Sequence, residues 1–164
     1  MNAGQARKVI MEIWSALPVP AAPIPYSSYD LEEECVRIFE NRPFDKVPLS
    51  SMPYFEGETP LYYFPRAGDD FYYLGSYLLY LLDEIEGSGE SEWVFGGIPA
   101  IHAEHMLRQF VKSPRKKELD PATHVRLLEV HQYIRWMEKH AKCQSDHPDR
   151  ALWEDIPEDG LGKS

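Results

Sequence analysis

Cysteine, positive charge and the motifs of known chemistries are all scarce in this sequence. Only two of its 164 residues are cysteines, Cys35 and Cys143, and they form no CxxC pair. A small secreted domain stapled by disulfides carries more of them, so we expect two thiols in a reducing compartment, with a single bridge left open. The first residues lack an apolar core of signal-peptide length, so the expected location is cytoplasmic.

Basic residues are outnumbered, since 17 lysines and arginines stand against 27 aspartates and glutamates, for a formal net charge of −10. Such a charge repels a phosphate backbone, so we expect no nucleic-acid binding. It attracts a basic protein, although acidity also serves plain solubility. No apolar run approaches the roughly 20 residues that a membrane span needs, so no membrane association is expected.

Motifs for catalysis and cofactor binding are also missing. The serines that follow glycine do not fit GxSxG, HExxH is absent, and Gly96-Gly97 neither precedes a GK[ST] nor completes GxGxxG. We therefore predict no cofactor. His102 and His105, three residues apart on a predicted helix, are weak candidates for metal ligands. Histidines at the edge of a core, each making one hydrogen bond, are the commoner interpretation.

What is present is a long aromatic and apolar stretch at residues 61–85, with six of the ten tyrosines. When its residues are placed at about 100° each around a helix axis, the part from Phe71 to Ile85 is predicted to be a helix with a broad apolar arc. A tyrosine stripe lies nearly opposite this arc and consists of Tyr73, Tyr77 and Tyr80. A narrow strip is left for solvent and consists of Tyr72, Ser76 and Asp83. A helix apolar over so much of its circumference is expected at the centre of a core.

Four further helices are predicted from periodicity and start signals, over residues 3–17, 30–40, 99–111 and 121–143. The clearest start is Asp120 followed by Pro121. Short extended pieces are expected at 44–47, 61–64 and 93–95. The predicted fold class is mainly α, with about five helices around the central helix; α+β with a small antiparallel sheet is the alternative. Residues 1–142 are expected to form one globular domain, and 143–164 a polar acidic tail that Trp153 and Ile156 attach to it.

Two sets of side chains are candidates for contact with a partner protein. The first set is the acidic cluster near the end of the central helix: Asp83, Glu84, Glu86, Glu90 and Glu92. The second set is the tyrosine stripe, because tyrosine combines an apolar ring with a polar tip. The alternative for the stripe is that each ring packs inward and its hydroxyl bonds to the backbone.

A series of segments in fixed order carries a resemblance to a known family. The series is the acidic helix from Asp30 to Phe39, the run PFDKVP at 43–48, FYYL at 71–74 entering YLL at 77–79, and LDP at 119–121. In this order, over about residues 28–142, the chain resembles a family of uncharacterised, mostly bacterial small proteins, a domain of unknown function. Such families commonly carry Tyr-Leu-Pro-Ala where this chain has Tyr73-Leu74-Gly75-Ser76. The shared motifs are core-like, and the resemblance implies no catalytic role.

Three functions fit these observations. The first is a non-enzymatic binding protein, specifically an immunity-type protein that neutralises a basic toxin, because the chain is small, acidic and rich in aromatics. The second is a small enzyme with a pocket lined by Tyr73, Tyr77, His102 and His105. The third is a regulatory or structural domain. The oligomeric state is left open.

Overall fold

The structure is a computed structural model that describes residues 1–20, 37–51, 69–89, 107 and 119–140. Over these ranges the chain forms three α-helices: α1 (Ala3–Ser15), α2 (Asp69–Ser88) and α3 (Pro121–His140). Two short 3₁₀ helices also occur, Phe44–Lys46 and Leu49–Ser51, and no strand occurs among the described residues. The mainly helical class is thus confirmed for the described residues, whereas the count of five helices is not.

Several predicted features fall wholly or partly outside these ranges. Of the helices predicted at 30–40 and 99–111, the structure describes helical Arg37 and the helical, fully buried Leu107. The extended pieces at 61–64 and 93–95, the tail at 143–164 and both cysteines lie outside the described residues. None of the helices that are described is long and apolar enough to cross a bilayer.

Helix α1 begins at a capping box. The Asn2 side chain accepts a hydrogen bond from the Gln5 amide at 2.9 Å, and the Gln5 side chain accepts one from the Asn2 amide at 2.9 Å. This exchange satisfies two amide donors that the first turn leaves free. The buried face consists of Ala3, Ala6, Ile10, Ile13 and Trp14. The sequence spacing of Ile10, Ile13 and Trp14 predicts that they share one face of this helix, and the structure confirms it by burying all three. The buried face also extends toward the start of the chain, to Ala6 and Ala3.

Helix α2 is the buried centre of the described core, and it runs slightly beyond the predicted span from Phe71 to Ile85. Its apolar arc is buried as expected, but the predicted solvent strip is wrong at two of its three positions. Tyr72 and Ser76 are 4% and 3% exposed, and of the strip only Asp83 reaches solvent. The reason is that the backbone of Phe44 lies against this side of the helix. The Phe44 amide donates to the Tyr72 hydroxyl at 3.2 Å, and the Ser76 hydroxyl donates to the Phe44 carbonyl at 2.6 Å.

Residues 37–51, the described segment that precedes α2, form a turn followed by two short 3₁₀ helices. Asn41 ends the turn with φ 53°, in the left-handed region that asparagine tolerates better than most residues. The expected extended piece at 44–47 is wrong over most of its length, because Lys46 N–H donates to Pro43 C=O at 3.0 Å and closes a 3₁₀ turn. This turn carries the Phe44 ring into the core, where the side chain is 4% exposed.

Helix α3 starts where the sequence predicts. Asp120 caps it, since its carboxylate accepts a hydrogen bond from the Thr123 amide at 3.0 Å, and Pro121 follows as the first helical residue. The bonds from Thr123 also lower the pKa of Asp120. The buried positions are Leu127, Val130, His131, Tyr133, Ile134 and Met137. Helix α1 contacts both α2 and α3.

Candidate functional site

The described part of the predicted acidic cluster lies at the carboxyl end of α2. Asp83 and Glu86 are three residues apart, so they share one face of the helix, and both side chains reach solvent. Arg7 of α1 reaches across and pairs with both of them. Its Nη2 lies 2.5 Å from Asp83 Oδ1 and 2.6 Å from Glu86 Oε2, and its Nε lies 3.1 Å from the same Glu86 oxygen.

This ion pair sets the electrostatics of the helix end. Partial burial on its own lowers the pKa of Arg7, but the hydrogen bonds to Glu86 and Asp83 outweigh it, so the pKa is raised and the side chain stays charged. The last turn of α2 contains no basic residue. Because a helix carries negative partial charge at its carboxyl end, the carboxylates here add to that charge. Arg7 is one cation against three acids, Asp83, Glu84 and Glu86.

Tyr80 and Glu84 extend this surface by one turn. The two residues are four apart on α2, and both side chains are partly exposed. The pKa of Tyr80 is raised first by burial of its ring, then by the negative charge of Glu84 and by a hydrogen bond to it. A neutral phenol that hydrogen-bonds a carboxylate is a polar contact point at the rim of the acidic end. We call Tyr80, Asp83, Glu84 and Glu86 the acidic end of α2.

The other two tyrosines of the predicted stripe lie in the core. Tyr73 and Tyr77 are both 0% exposed. The Tyr73 hydroxyl lies 3.0 Å from the carbonyl oxygens of Phe39 and Arg42, so the inward-packing alternative describes this residue. The Phe39 ring packs edge-on against Tyr73 at 5.0 Å and stacks with Tyr77 at 6.4 Å. These rings hold the 37–51 segment on α2 and contribute nothing to the surface.

The remaining sequence candidates lie outside the description: Glu90, Glu92, His102 and His105. Within the described ranges, no group of three or more histidine, cysteine, aspartate or glutamate side chains is placed to hold a metal ion.

Sequence reasoning missed an open groove between α1 and α3, with a volume of about 880 Å³. Residues from both helices line it: Met1, Gln5, Lys8, Val9, Glu12, Arg126, Glu129, Gln132, Tyr133 and Trp136. Arg126 and Glu12 form an ion pair between the two helices. Trp136 is 51% exposed, which is unusual for so large an apolar ring. His140 stacks on it at 4.5 Å, and its Nδ1 lies 2.7 Å from the Trp136 carbonyl oxygen.

One sequence signal could have pointed to this groove. Trp136 falls outside the apolar stripe of α3, and a tryptophan on the polar side of an amphipathic helix is a candidate contact residue. The pairing of α1 with α3 has no such local signal, because it joins residues as far apart as Glu12 and Arg126.

Over the described residues the chain is thus a helical protein with a largely buried central helix, an acidic end on that helix and an open groove between α1 and α3. No protein-family model, no curated protein and no solved structure matches this chain.

Proposed function

We propose that this chain is a non-enzymatic protein-binding protein whose partner is a basic protein. Its specific role is that of an immunity-type protein, which neutralises a basic toxin in the cytoplasm by covering it. The observation that carries the proposal is the acidic end of α2, where three carboxylates gather at the carboxyl end of a helix with no basic residue in its last turn.

The placement of these carboxylates argues for a use beyond solubility. Glu86 lies in the last turn of α2, where a carboxylate is unfavourable, typically by about 0.3–1 kcal/mol, because it meets the negative end of the dipole. Asp83 and Glu84 lie just before that turn, where the dipole effect is weaker but the negative charges repel one another. Acids that serve solubility alone fit anywhere on the surface at less cost. Arg7 offsets only part of the repulsion. A lysine or arginine of a partner protein would reduce the remaining repulsion, so binding a cation at this helix end is electrostatically favourable.

The net charge of −10 acts in the same direction over a longer range. Complementary charge raises the rate of encounter with a basic protein and falls in effect as salt screens it. Tyr80 supplies a part-apolar contact beside the carboxylates.

The enzyme alternative is not favoured by any described contact. Its pocket needs Tyr73 and Tyr77, and both rings are fully buried, with Tyr73 bonded to backbone carbonyls.

The test is capture of basic proteins from native extract at low salt by the tagged full-length chain. We expect a stoichiometric basic protein that is released as salt rises. The double variant Asp83→Asn with Glu86→Gln should lose it, because these are the exposed carboxylates of the site. A matched control removes two exposed acids elsewhere, Glu40→Gln with Asp45→Asn.

The control separates site-specific binding from general attraction. If both double variants weaken capture equally, net charge alone is responsible and the site is wrong. If no basic protein is retained at low salt by the parent chain, the proposed function is wrong. The immunity role is then checked by expressing the captured protein in bacterial cells and measuring their growth. If the captured protein stops growth, co-expression of the parent chain should restore it, and co-expression of the Asp83→Asn, Glu86→Gln variant should not.

A further inference from the structure

We propose that two copies of this chain associate through the exposed face of α3, antiparallel across a two-fold axis, with the α3 of each copy covering the groove of the other. This inference is independent of the proposed function, because it uses a different surface and rests on different residues.

The first observation is a stripe along α3 that nothing in the described structure covers. Val125, Glu129, Gln132 and Trp136 follow one another at spacings of four, three and four residues, so they lie on one face of the helix. All four side chains are exposed, and the two apolar ones are 54% and 51% exposed for Val125 and Trp136. Tryptophan is enriched at protein interfaces, so the half-exposed Trp136 makes this stripe a candidate contact surface.

The second observation is that this stripe is complementary to itself. In an antiparallel pair of α3 helices centred between residues 130 and 131, Val125 faces Trp136 of the second copy, and Glu129 faces Gln132 of the second copy. Apolar then meets apolar at both ends, and a carboxylate meets an amide donor at two symmetric places in the middle. A two-fold interface requires this kind of match, because one surface patch must fit itself.

The third observation is the charge of the groove, and it selects a second copy over a basic partner. The charged side chains that line it are two cations, Lys8 and Arg126, and two anions, Glu12 and Glu129. The chain as a whole carries −10. The groove is therefore a locally balanced surface on an acidic protein, where the repulsion between two copies is weaker than elsewhere and where a basic partner gains little.

The Trp136 ring is held ready for this contact. The His140 ring stacks on the Trp136 ring, and His140 Nδ1 lies close to the Trp136 carbonyl oxygen. Because the Trp136 side chain is already restrained, it loses less conformational freedom on association. The contact is nevertheless small. The stripe on α3 is short, so we expect a small interface and a weak dimer, populated at protein concentrations on the order of 100 µM.

The test is sedimentation equilibrium of the full-length chain from about 10 µM to about 1 mM, at about 50 and 500 mM NaCl. We expect a monomer–dimer equilibrium that tightens at the higher salt, because screening removes the repulsion between two chains of charge −10. This sign is opposite to that of a complex with a basic protein. A monomer at every concentration overturns the proposal, whatever else covers the stripe.

Two variants and one control locate the interface. Val125→Glu and Trp136→Ala should each raise Kd by at least about tenfold, the first by placing a carboxylate against an indole and the second by removing the anchor. Val19→Glu is the control, since Val19 is 46% exposed and lies outside the stripe. A dimer that survives both stripe variants, or that Val19→Glu weakens equally, overturns the proposal. Because both stripe positions are exposed, circular dichroism should show unchanged helix content in each variant.

Discussion

Helix α1 makes two contacts of opposite character, one closed and one open. Against α2, Trp14 is fully buried, its indole N–H donates to the Phe71 carbonyl at 2.8 Å, and its ring lies 5.0 Å from that of Phe71. Against α3, a groove of about 880 Å³ remains, and the Glu12–Arg126 ion pair crosses between the helices. One helix thus contributes stability on one side and a surface for recognition on the other.

The closed contact should fail most severely when a single methyl group is added at Gly75. A Cβ there would lie 2.6 Å from Trp14 Cδ1 and 2.9 Å from Phe44 Cδ2, and both rings are buried. We expect Gly75→Ala to lower the free energy of unfolding by about 1–3 kcal/mol, measured by urea denaturation. The control is Gly87→Ala on the same helix, where an added Cβ would meet no atom within 4 Å. It should instead raise stability by up to about 1 kcal/mol, and two changes of the same sign would contradict the packing described here.

Removing one hydroxyl from the closed side should have the next largest effect. Ser76→Ala takes away the buried donor to the Phe44 carbonyl, at a cost of about 1–2 kcal/mol in the free energy of unfolding. Ser15→Ala, an exposed position at the end of α1, is the control and should change stability by less than about 0.5 kcal/mol. A Ser76→Ala variant as stable as this control would mean that Phe44 does not depend on the hydroxyl.

The open side should respond weakly to the loss of its ion pair. Both partners are substantially exposed, with side-chain exposures of 38% for Arg126 and 46% for Glu12. We expect Glu12→Gln to cost about 0.2–1 kcal/mol at low salt, and less as salt rises. Glu129→Gln removes the same charge from the opposite wall of the groove and serves as the comparison. A loss as large as that of Gly75→Ala would show that the groove side is not the weaker contact.

Alkaline pH should act on the closed side through Tyr72. Burial raises the pKa of Tyr72, the bond from the Phe44 amide opposes the rise, and the charge of Asp45 adds to it. A raised folded pKa means that stability is fully present below the unfolded pKa of about 10 and is lost as pH increases above it. Urea denaturation between pH 9 and about 10.5 should show this fall, and Tyr72→Phe should reduce its slope. An unchanged slope would assign the fall to other groups such as Tyr80, whose pKa is also raised.

The sequence predicted the positions of the three described helices well, because the signals for a helix are local. Spacing placed Ile10, Ile13 and Trp14 on one face, and Asp120-Pro121 gave the start of α3 to the residue. The burial of Tyr72 and Ser76 could not be predicted in this way. Helical periodicity shows which residues share one side of a helix. Whether that side is buried depends here on the backbone of Phe44, about 30 residues earlier in the chain.

The two candidate surfaces differ in the same respect. The acids at the end of α2 are visible in the sequence, whereas their pairing with Arg7 joins residues 76 and 79 positions apart. The groove exists only because α1 and α3 come together. The local sequence pattern therefore predicted the charge of the acidic end of α2 but not its ion pair with Arg7, and it did not predict the groove between α1 and α3.

The position of α1 ahead of both its partners has a consequence during synthesis. The Trp14–Phe71 bond spans 57 residues and the Glu12–Arg126 bond spans 114. At about 5–20 residues per second, Phe71 is added about 3–11 s after Trp14, and Arg126 about 6–23 s after Glu12. A 13-residue helix is marginal by itself, so until Phe71 and the rest of α2 emerge the apolar side of α1 has no native partner to cover it. The nascent chain is then open to chaperones and to mispairing, and the contact that closes first, with α2, shortens that exposure.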